Sequence, residues 1–468
     1  MIRKDDTICA PATSPGGAIA IIRLSGAASI EICKRIFFPS DPVLNLLQQK
    51  GNTIIHGTIR EGSSIIDEVL VAIFRSPHSY TGEDSVEISC HGSPYITSRI
   101  MKLLINEGAL PARPGEFTMR AFFNGKMDLA QSEAVADLVA SHTSAAHRVA
   151  INQMRGGFSK EILNLRSELL RFASLIELEL DFGEEDVQFA DRIQLRSIVS
   201  KARNMSEDLL SSFSLGNAIK NGIPVVITGK PNSGKSTLLN ALLNEDRAIV
   251  SDVPGTTRDT IEDVIVINGV EYRFIDTAGL RDTSDVVENL GILRTREKIE
   301  KASVVLLIDD VLDEVTLINQ RAEEFRKTKS SGGQQLILII NKTDLSDREQ
   351  IEKFRKNIIL KESESLLFIS AKEKKGLGKL RSALSEVVDR KMLASDNPVI
   401  TNMRHYDSLR KVSESLERVI SGLDENIAED LIAIDIRHAI HYLGEITGSV
   451  ITSDEILENI FKNFCIGK

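Results

Sequence analysis

The spacing of apolar residues changes along the chain, and each change predicts a different kind of structure. Over residues 1–118 the short runs "AIAIIRLSG", "NTIIHGTI", "VLVAIF" and "SVEISCHG" are rich in β-formers and broken by Gly, Pro and Ser. Such runs read as strands bounded by turns. "PYITSRIMKLLINEG" has helical spacing and closes on Gly108, so this region is expected to be mixed α and β. Over 119–220 the period lengthens to three and four. Ala134, Val135, Leu138, Val139, Ala145, Ala146 and Val149 form one stripe, and Leu165, Leu169, Phe172, Leu175, Ile176 and Leu180 form another. Both read as the core of a helical bundle.

Over 221–390 continuous apolar runs alternate with helical stretches: "IPVVITG", "YRFIDTAG", "SVVLLIDD", "QLILIINKTD" and "LLFISAK". Strands this apolar predict a parallel sheet covered on both faces. Residues 391–468 turn helical again through Leu409, Val412, Leu416, Val419 and Ile420, and Thr452 to Glu455 fits a capping box for the last helix. Two helical segments flanking an α/β unit predict that the unit is inserted into one helical domain.

Composition narrows the class. The chain has 468 residues, enough for two to four domains, with 42% hydrophobic and 26% charged content, which fits folded protein. A net charge of −10 argues against a globally basic nucleic-acid binder. Cys9, Cys33, Cys90 and Cys465 form no CxxC pair, so reduced thiols, no zinc site and a cytoplasmic location are expected. The start "MIRKDDTICA" has no signal-peptide apolar stretch, and no run reaches a membrane span.

The chemistry concentrates in the α/β unit. "GKPNSGKST", 229–237, sits between a strand and a helix and matches GxxxxGK[ST]. Gly229 and Gly234 let backbone N–H groups face phosphate oxygens, with Asn232, Ser233 and Thr237 completing the loop. Lys235 reaches the β- and γ-phosphates, and Ser236 offers a hydroxyl to Mg²⁺. "NKTD", 341–344, follows another strand. The Asp344 carboxylate can accept from guanine N1–H and the exocyclic amine, with Asn341 and Lys342 bracing and covering the base. Adenine lacks the N1 donor, and a site built on such bonds discriminates by ~10⁴–10⁵. "SAK" (Ser370, Ala371, Lys372) can present its backbone to the guanine oxygen. "DTAG" (Asp276, Thr277, Ala278, Gly279) is placed to hold Mg²⁺ through water and to sense the γ-phosphate. Within "SDVPGTTRD", which runs through Ser251, Asp252, Val253, Pro254, Gly255, Thr256 and Thr257, Thr257 is the second expected Mg²⁺ ligand. In this order the motifs indicate a GTPase.

Two catalytic groups are out of their usual place. The position after DTAG, where Ras-like enzymes carry a water-orienting glutamine, is Leu280. Arg281, Asp282, Asp285 and Glu288 are nearby candidates, or plain surface charges. An arginine finger is also lacking, and Asn232, with the backbone of 251–256, can hold an oxygen-ligated monovalent cation there instead.

With these residues assembled, the chain resembles the MnmE (TrmE) family of tRNA-modification GTPases, in the TrmE-Era-EngA-like superfamily. The strings that carry the likeness are "DTICAPATSPGGAIAIIRLSG", "YTGEDSVEISCHG", "ARPGEFTMRAFFNGKMDLAQSEA", "GKPNSGKSTLLNALL", "AIVSDVPGTTRD", "IDTAGLRDTSDVVENLGI" and the terminal "FCIGK". The resemblance implies an N-terminal α/β tetrahydrofolate-binding and dimerisation domain (1–118), a discontinuous helical domain (119–220 and 391–468) and an inserted Ras-like P-loop G domain (221–390). It implies a homodimer and a partner, the FAD protein MnmG. With that partner, and using a 5-formyl or 5,10-methylene tetrahydrofolate, the family adds an aminomethyl or carboxymethylaminomethyl group at carbon 5 of the wobble uridine of certain tRNAs. It implies that Asn232, Ser251, Val253 and Thr256 hold K⁺, that Ser236 and Thr257 hold Mg²⁺, and that Glu288 orients the water. Its folate contacts fall on Arg23, Glu87, Lys126 and Lys468. Pro254 departs from the family's usual alanine, but it leaves the carbonyls of 251 and 253 free for the ion.

Two rivals fit less well. A ribosome-assembly GTPase grips RNA with a basic C-terminal module, whereas 401–468 carry 7 Lys+Arg against 12 Asp+Glu. A stand-alone folate-dependent aminomethyltransferase lacks an electron carrier, since no GxGxxG opens a helix here. The ending "NIFKNFCIGK" is too apolar for a solvated tail. It is expected to dock on the folate pocket through Phe461, Phe464 and Ile466. Cys465 then reads either as a nucleophile toward uracil or as a small buried hydrophobe.

Overall fold

The computed structural model describes residues 6–14, 16–181, 192–245, 263–275, 302–328, 334–361, 364–387, 399–425 and 427–450, and within the last stretch 457, 460–462, 464 and 467. Ser251 to Thr257, Asp276 to Gly279, Glu288, Cys465, Ile466 and Lys468 therefore lie outside the described residues, as does the expected capping box at Thr452. The chain divides into two compact units. One joins 1–140, 150–207 and 407–468, and the other joins 141–149 and 208–406.

In the first unit seven strands form one sheet. They are β1 (Ile8–Pro11), β2 (Ile19–Ser25), β3 (Phe37–Pro39), β4 (Thr53–Glu61), β5 (Ser64–Phe74), β6 (Ser85–His91) and β7 (Leu110–Pro111), in the order β3-β4-β5-β6-β2-β1-β7. Pairing is antiparallel except between β1 and β7. Alternation sorts the faces. Ile22, Leu24, Val69, Val71, Ile73, Val86 and Ile88 point into a core shared with Cys33, Ile36, Ile100 and Leu104 of the helices Ser29–Ile36 and Pro94–Asn106. On the opposite face Ile19, Ile54 and Leu70 are exposed. The helices Glu116–Phe123, Leu129–Ala140, Gly157–Asp181 and Glu429–Thr447 belong to this unit for most or all of their length.

The described apolar residues near the end of the chain are packed. Phe461 is buried with Met119, Leu129 and Leu457, and Phe122, Ile460 and Phe464 cover the cluster. Gly115 is left-handed, with φ +67°, and a Cβ there would lie 2.8 Å from the Phe461 carbonyl oxygen. Only glycine gives the tail room at that point.

In the second unit the strands are β8 (Ile223–Gly229), β9 (Asp263–Ile267), β10 (Val270–Phe274), β11 (Val304–Asp310), β12 (Gln335–Asn341) and β13 (Glu364–Phe368), in the order β13-β12-β11-β8-β10-β9. Five run parallel. β9 is antiparallel to β10, so the sheet is mixed and not wholly parallel as the apolar runs suggested. The cause is local. Asn268 and Gly269 carry φ of 53° and 80°, both positive, which is the setting of a two-residue hairpin turn. The helices Val315–Thr328 and Arg348–Asn357 fill the β11–β12 and β12–β13 connections, and Leu377–Val387 follows β13. Ile308, Ile337 and Ile339 are buried on one face with Leu238 and Leu242 of the helix Lys235–Glu245, and Val305, Leu307 and Leu338 on the other with Ile318 and Ala322. Helices on both faces keep these central strands apolar throughout.

The hairpin turn makes a prediction. A Cβ at Gly269 would enforce a left-handed L-residue and collide with Ser144 Oγ. Gly269→Ala should cost at least the ~1–2 kcal/mol of that backbone setting, seen as a lower thermal midpoint. An unchanged midpoint would show that the turn relaxes into another type.

Candidate functional site

The C-terminal ends of the parallel strands meet at one edge, where ligands bind in open α/β sheets. Gly229 at the end of β8 lies opposite Ile308 of β11, and Asp310 of β11 lies opposite Asn341 of β12. The phosphate loop leaves this edge and enters the helix Lys235–Glu245. Gly229 and Gly234 have φ of 145° and 98°, and a Cβ at either would collide, with the Ile308 carbonyl and the Asn341 amide respectively. Asn232 is also left-handed, φ 62°, and exposed. Lys235 Nζ donates to the carbonyls of Gly229 at 2.9 Å and Lys230 at 2.7 Å. Burial lowers its pKa. The ammonium thus waits at the loop, where phosphate oxygens can compete for it.

Asn341 is 2% exposed and joins the loops. Its Nδ2 donates to the Ser233 carbonyl at 2.8 Å, and its Oδ1 accepts from Ala371 N–H at 3.0 Å. Lys342 follows in a left-handed conformation, φ 61°. Asp344 accepts from Ser370 Oγ at 2.6 Å, which holds its carboxyl below the usual carboxylate range. Ser370 Oγ also accepts from Glu373 N–H at 3.2 Å, so its direction is set from both sides. Asn232, Ser233, Gly234, Lys235, Ser236 and Thr237 therefore lie on one loop and helix start. Asn341, Lys342, Asp344, Ser370, Ala371 and Lys372 lie on two loops bonded to each other, and the Asn341 amide ties these to the phosphate loop.

A second cluster lies in the first unit. Arg23 on β2 stands opposite Glu87 on β6, and the two pair through Nε at 2.9 Å and Nη2 at 2.8 Å. The guanidinium lies over two rings: the Tyr80 and Phe117 ring centroids are 5.4 and 5.7 Å from Cζ. Tyr80 OH shares a hydrogen bond with Thr118 Oγ1 at 2.8 Å. Arg23 Nη1 donates to the Gly467 carbonyl at 3.2 Å, so the chain terminus reaches this cluster. Lys126 Nζ donates to the Pro77 carbonyl at 2.9 Å, and its stem packs by Gly82, on the loop that also carries Tyr80. Sequence reasoning reached Arg23, Glu87 and Lys126 only through resemblance, and it missed Tyr80 and Phe117. The "YTGED" string was the available signal.

Comparison with known proteins bears on the chain as a whole. A family model described as the MnmE helical domain matches residues 129–465, and one described as the GTP-binding protein TrmE N-terminus matches 7–126. The tRNA modification GTPase MnmE of Bacteroides thetaiotaomicron is 51% identical, covering 99% of this chain and 100% of its own length. The chain belongs to the MnmE family. Another member, the tRNA modification GTPase MnmE of Flavobacterium johnsoniae, is 49% identical and covers 100% of both chains. Among solved structures, the G domain of the T. maritima FeoB iron transporter matches 36% of this chain and 99% of its own at 23% identity. Its TM-score of 0.25 is too low to bear on the fold. As an MnmE-family protein the chain is a GTPase that acts in tRNA modification, and GTP hydrolysis of this class uses Mg²⁺. Among the described residues no helix is long and apolar enough to cross a membrane.

The geometry around Asp344 makes a prediction, given the expected role of its carboxylate. Asp344→Asn should lose GTP affinity by orders of magnitude, toward the ~10⁴–10⁵ that such hydrogen bonds discriminate. In the wild type the lowered Asp344 pKa means that the accepting carboxylate is present above that value and lost as pH falls through it. Base selectivity should then stay flat through mildly acidic pH and fall only below the ordinary carboxylate range. Titration of GTP against ATP binding checks both, and unaltered GTP binding by the variant would remove Asp344 from base recognition.

Proposed function

We propose that this MnmE-family GTPase is activated by K⁺ and by contact between two copies. With the FAD protein MnmG, it would install a (carboxymethyl)aminomethyl group at carbon 5 of the wobble uridine of certain tRNAs, using a one-carbon tetrahydrofolate. The observation that carries the folate part of the reading is the Arg23–Glu87 pair with the chain terminus upon it. A guanidinium suits the glutamate tail of a folate, and a carboxylate accepts from pterin N–H groups. Lys126 lies against the loop that bears Tyr80. Lys468 follows Gly467 directly and would reach the same ligand. Cys465, two residues before Gly467, is either a nucleophile toward uracil or part of the docked tail.

In the G domain Ser236 and Thr257 would hold Mg²⁺, which neutralises charge developing between the β- and γ-phosphates. Asn232, Ser251, Val253 and Thr256 would hold K⁺, supplying charge where an arginine finger acts in other GTPases. The exposed, left-handed Asn232 supports this, because its side chain is not taken into the core. Glu288 would orient the attacking water, and the rest of 251–257 and 276–279 would contact GTP. The apolar residues Ile19, Ile54 and Leu70 on the outer face of the first sheet favour burial against a second copy. The domain limits that fit this reading are 1–118, 119–220, 221–390 and 391–468, and the cytoplasm is its compartment.

Two experiments test the proposal. GTP turnover should be faster in K⁺ than in Na⁺ at equal ionic strength by ~10²–10³, the usual worth of one such electrostatic donor. Equal rates in the two salts would remove the ion from the mechanism. Mass spectrometry of wobble nucleosides from a deletion strain should show the modification lost, restored by the wild-type gene and not by Arg23→Ala. Restoration by Arg23→Ala would dissociate the Arg23–Glu87 pair from the reaction.

A further inference from the structure

β11 ends in two consecutive acids, Asp309 and Asp310, and Asp313 follows in the turn. The reading above uses none of them, yet their partners sit on the nucleotide loops. The Asp310 side chain is 7% exposed and lies 2.6 Å from Lys342 Nζ. Its other oxygen accepts from Leu312 N–H at 3.0 Å, so the carboxylate is fixed by the backbone before it meets the lysine. Burial raises its pKa, but the Lys342 and Leu312 hydrogen bonds outweigh that and hold the group ionised. The turn is anchored in turn to the phosphate loop, because Asp313 pairs with Lys230, the residue after Gly229. Arg321 lies 2.7 Å from Asp309 and 3.0 Å from Asp313 and balances the cluster.

We propose that Asp310 is a positioning residue for guanine recognition: it holds the Lys342 ammonium so that the lysine stem lies across the face of the base. The proposal rests on the reading of Lys342 as the cover of the base. A free lysine side chain samples many rotamers, and ordering it on binding costs affinity. Pairing its head to a buried, backbone-fixed carboxylate removes that cost beforehand. The left-handed φ of 61° at Lys342 is a strained setting of the kind kept where a side chain must be aimed. A face contact is also blind to the hydrogen-bonding edge of the base, which Asp344 would read.

This last point separates the roles experimentally. Release of GTP and of ITP, which lacks the exocyclic amine, is followed by stopped flow on the full chain with Asp310→Asn, Lys342→Met and Lys342→Ala. Losing one partner of such a pair acts on dissociation, so Asp310→Asn should speed release roughly tenfold or more. The factor should be the same for GTP and ITP, and kcat at saturating GTP should be unchanged while KM rises. Lys342→Met keeps an apolar stem and loses the charge, so it should behave like Asp310→Asn, and Lys342→Ala should be at least as fast. Wild-type release from Lys342→Ala would overturn the cover reading and the proposal with it. Fast release from Lys342→Ala, with wild-type release from Lys342→Met, would leave the cover standing and overturn the role of Asp310. That second comparison decides the matter even where Asp310→Asn lowers the thermal midpoint.

Discussion

The Asn341 amide donates to the Ser233 carbonyl and accepts from Ala371 N–H, and in doing so it joins loops that leave β8, β12 and β13. An amide donates from its nitrogen and accepts at its oxygen, two separate atoms, whereas a hydroxyl must do both from one. Aspartate cannot donate when ionised, and leucine can do neither. At 2% exposure a lost partner is not replaced by water, so removal leaves a buried carbonyl and a buried N–H, each worth about 1–3 kcal/mol. The consequence reaches Gly234, whose missing Cβ is what allows the amide so close. The spacing between the GKPNSGKST loop and the NKTD and SAK loops is therefore fixed by one hydrogen-bonding group and one absent methyl.

How legible this was depended on whether a residue's role is local. The phosphate loop was legible because GxxxxGK[ST] describes a single turn whose glycines, lysine and serine all act within nine positions. The central strands β8, β11 and β12 were legible as near-continuous apolar runs because both of their faces are covered. β9 was missed because "DVIVI", between the runs "IPVVITG" and "YRFIDTAG", went unread, although the Asn268–Gly269 pair between "DVIVI" and "VEYRF" spells a hairpin turn. The base loop gave its residue types but not its wiring. The bond from Ser370 to Asp344 spans 26 positions and the one from Asn341 to Ser233 spans 108, and no pattern of local period carries such distances.

The first unit was less legible for the same reason carried further. Taken alone, Arg23 and Lys126 read as ordinary surface cations. Arg23 is 20% exposed, flanked by two rings, paired across a strand register and bonded to a carbonyl 444 residues away. Each contact requires the fold first. The tail was the exception, since an apolar terminus has to be buried somewhere. Its composition said that it docks, and only the tertiary structure says that Phe461 meets Met119 and Leu129 and that Gly467 meets Arg23.

The left-handed residues of the second unit follow from this contrast between local and distant constraint. Gly229, Gly234, Gly269 and Gly376 take positive φ at no cost in side-chain strain. Lys342 takes it as well, at about 1–2 kcal/mol relative to glycine, and so does Asn232, at a smaller cost because a short amide side chain tolerates the setting. Neither is in a position where packing forces the choice, for Asn232 is exposed and Lys342 is a third exposed at its side chain. Glycine at either place would be the more stable backbone and would delete a polar head group. Asn268, in the β9–β10 turn, and Lys374 take positive φ as well, so the setting alone marks no function. At Asn232 and Lys342 it is kept in the GKPNSGKST and NKTD loops, where a side chain is worth more than the conformational relief. For Asn232 the side chain offers an oxygen beside the phosphate loop. For Lys342 it offers a stem whose end is already held by Asp310, so the residue with the strained backbone is also the one whose side chain has been ordered in advance.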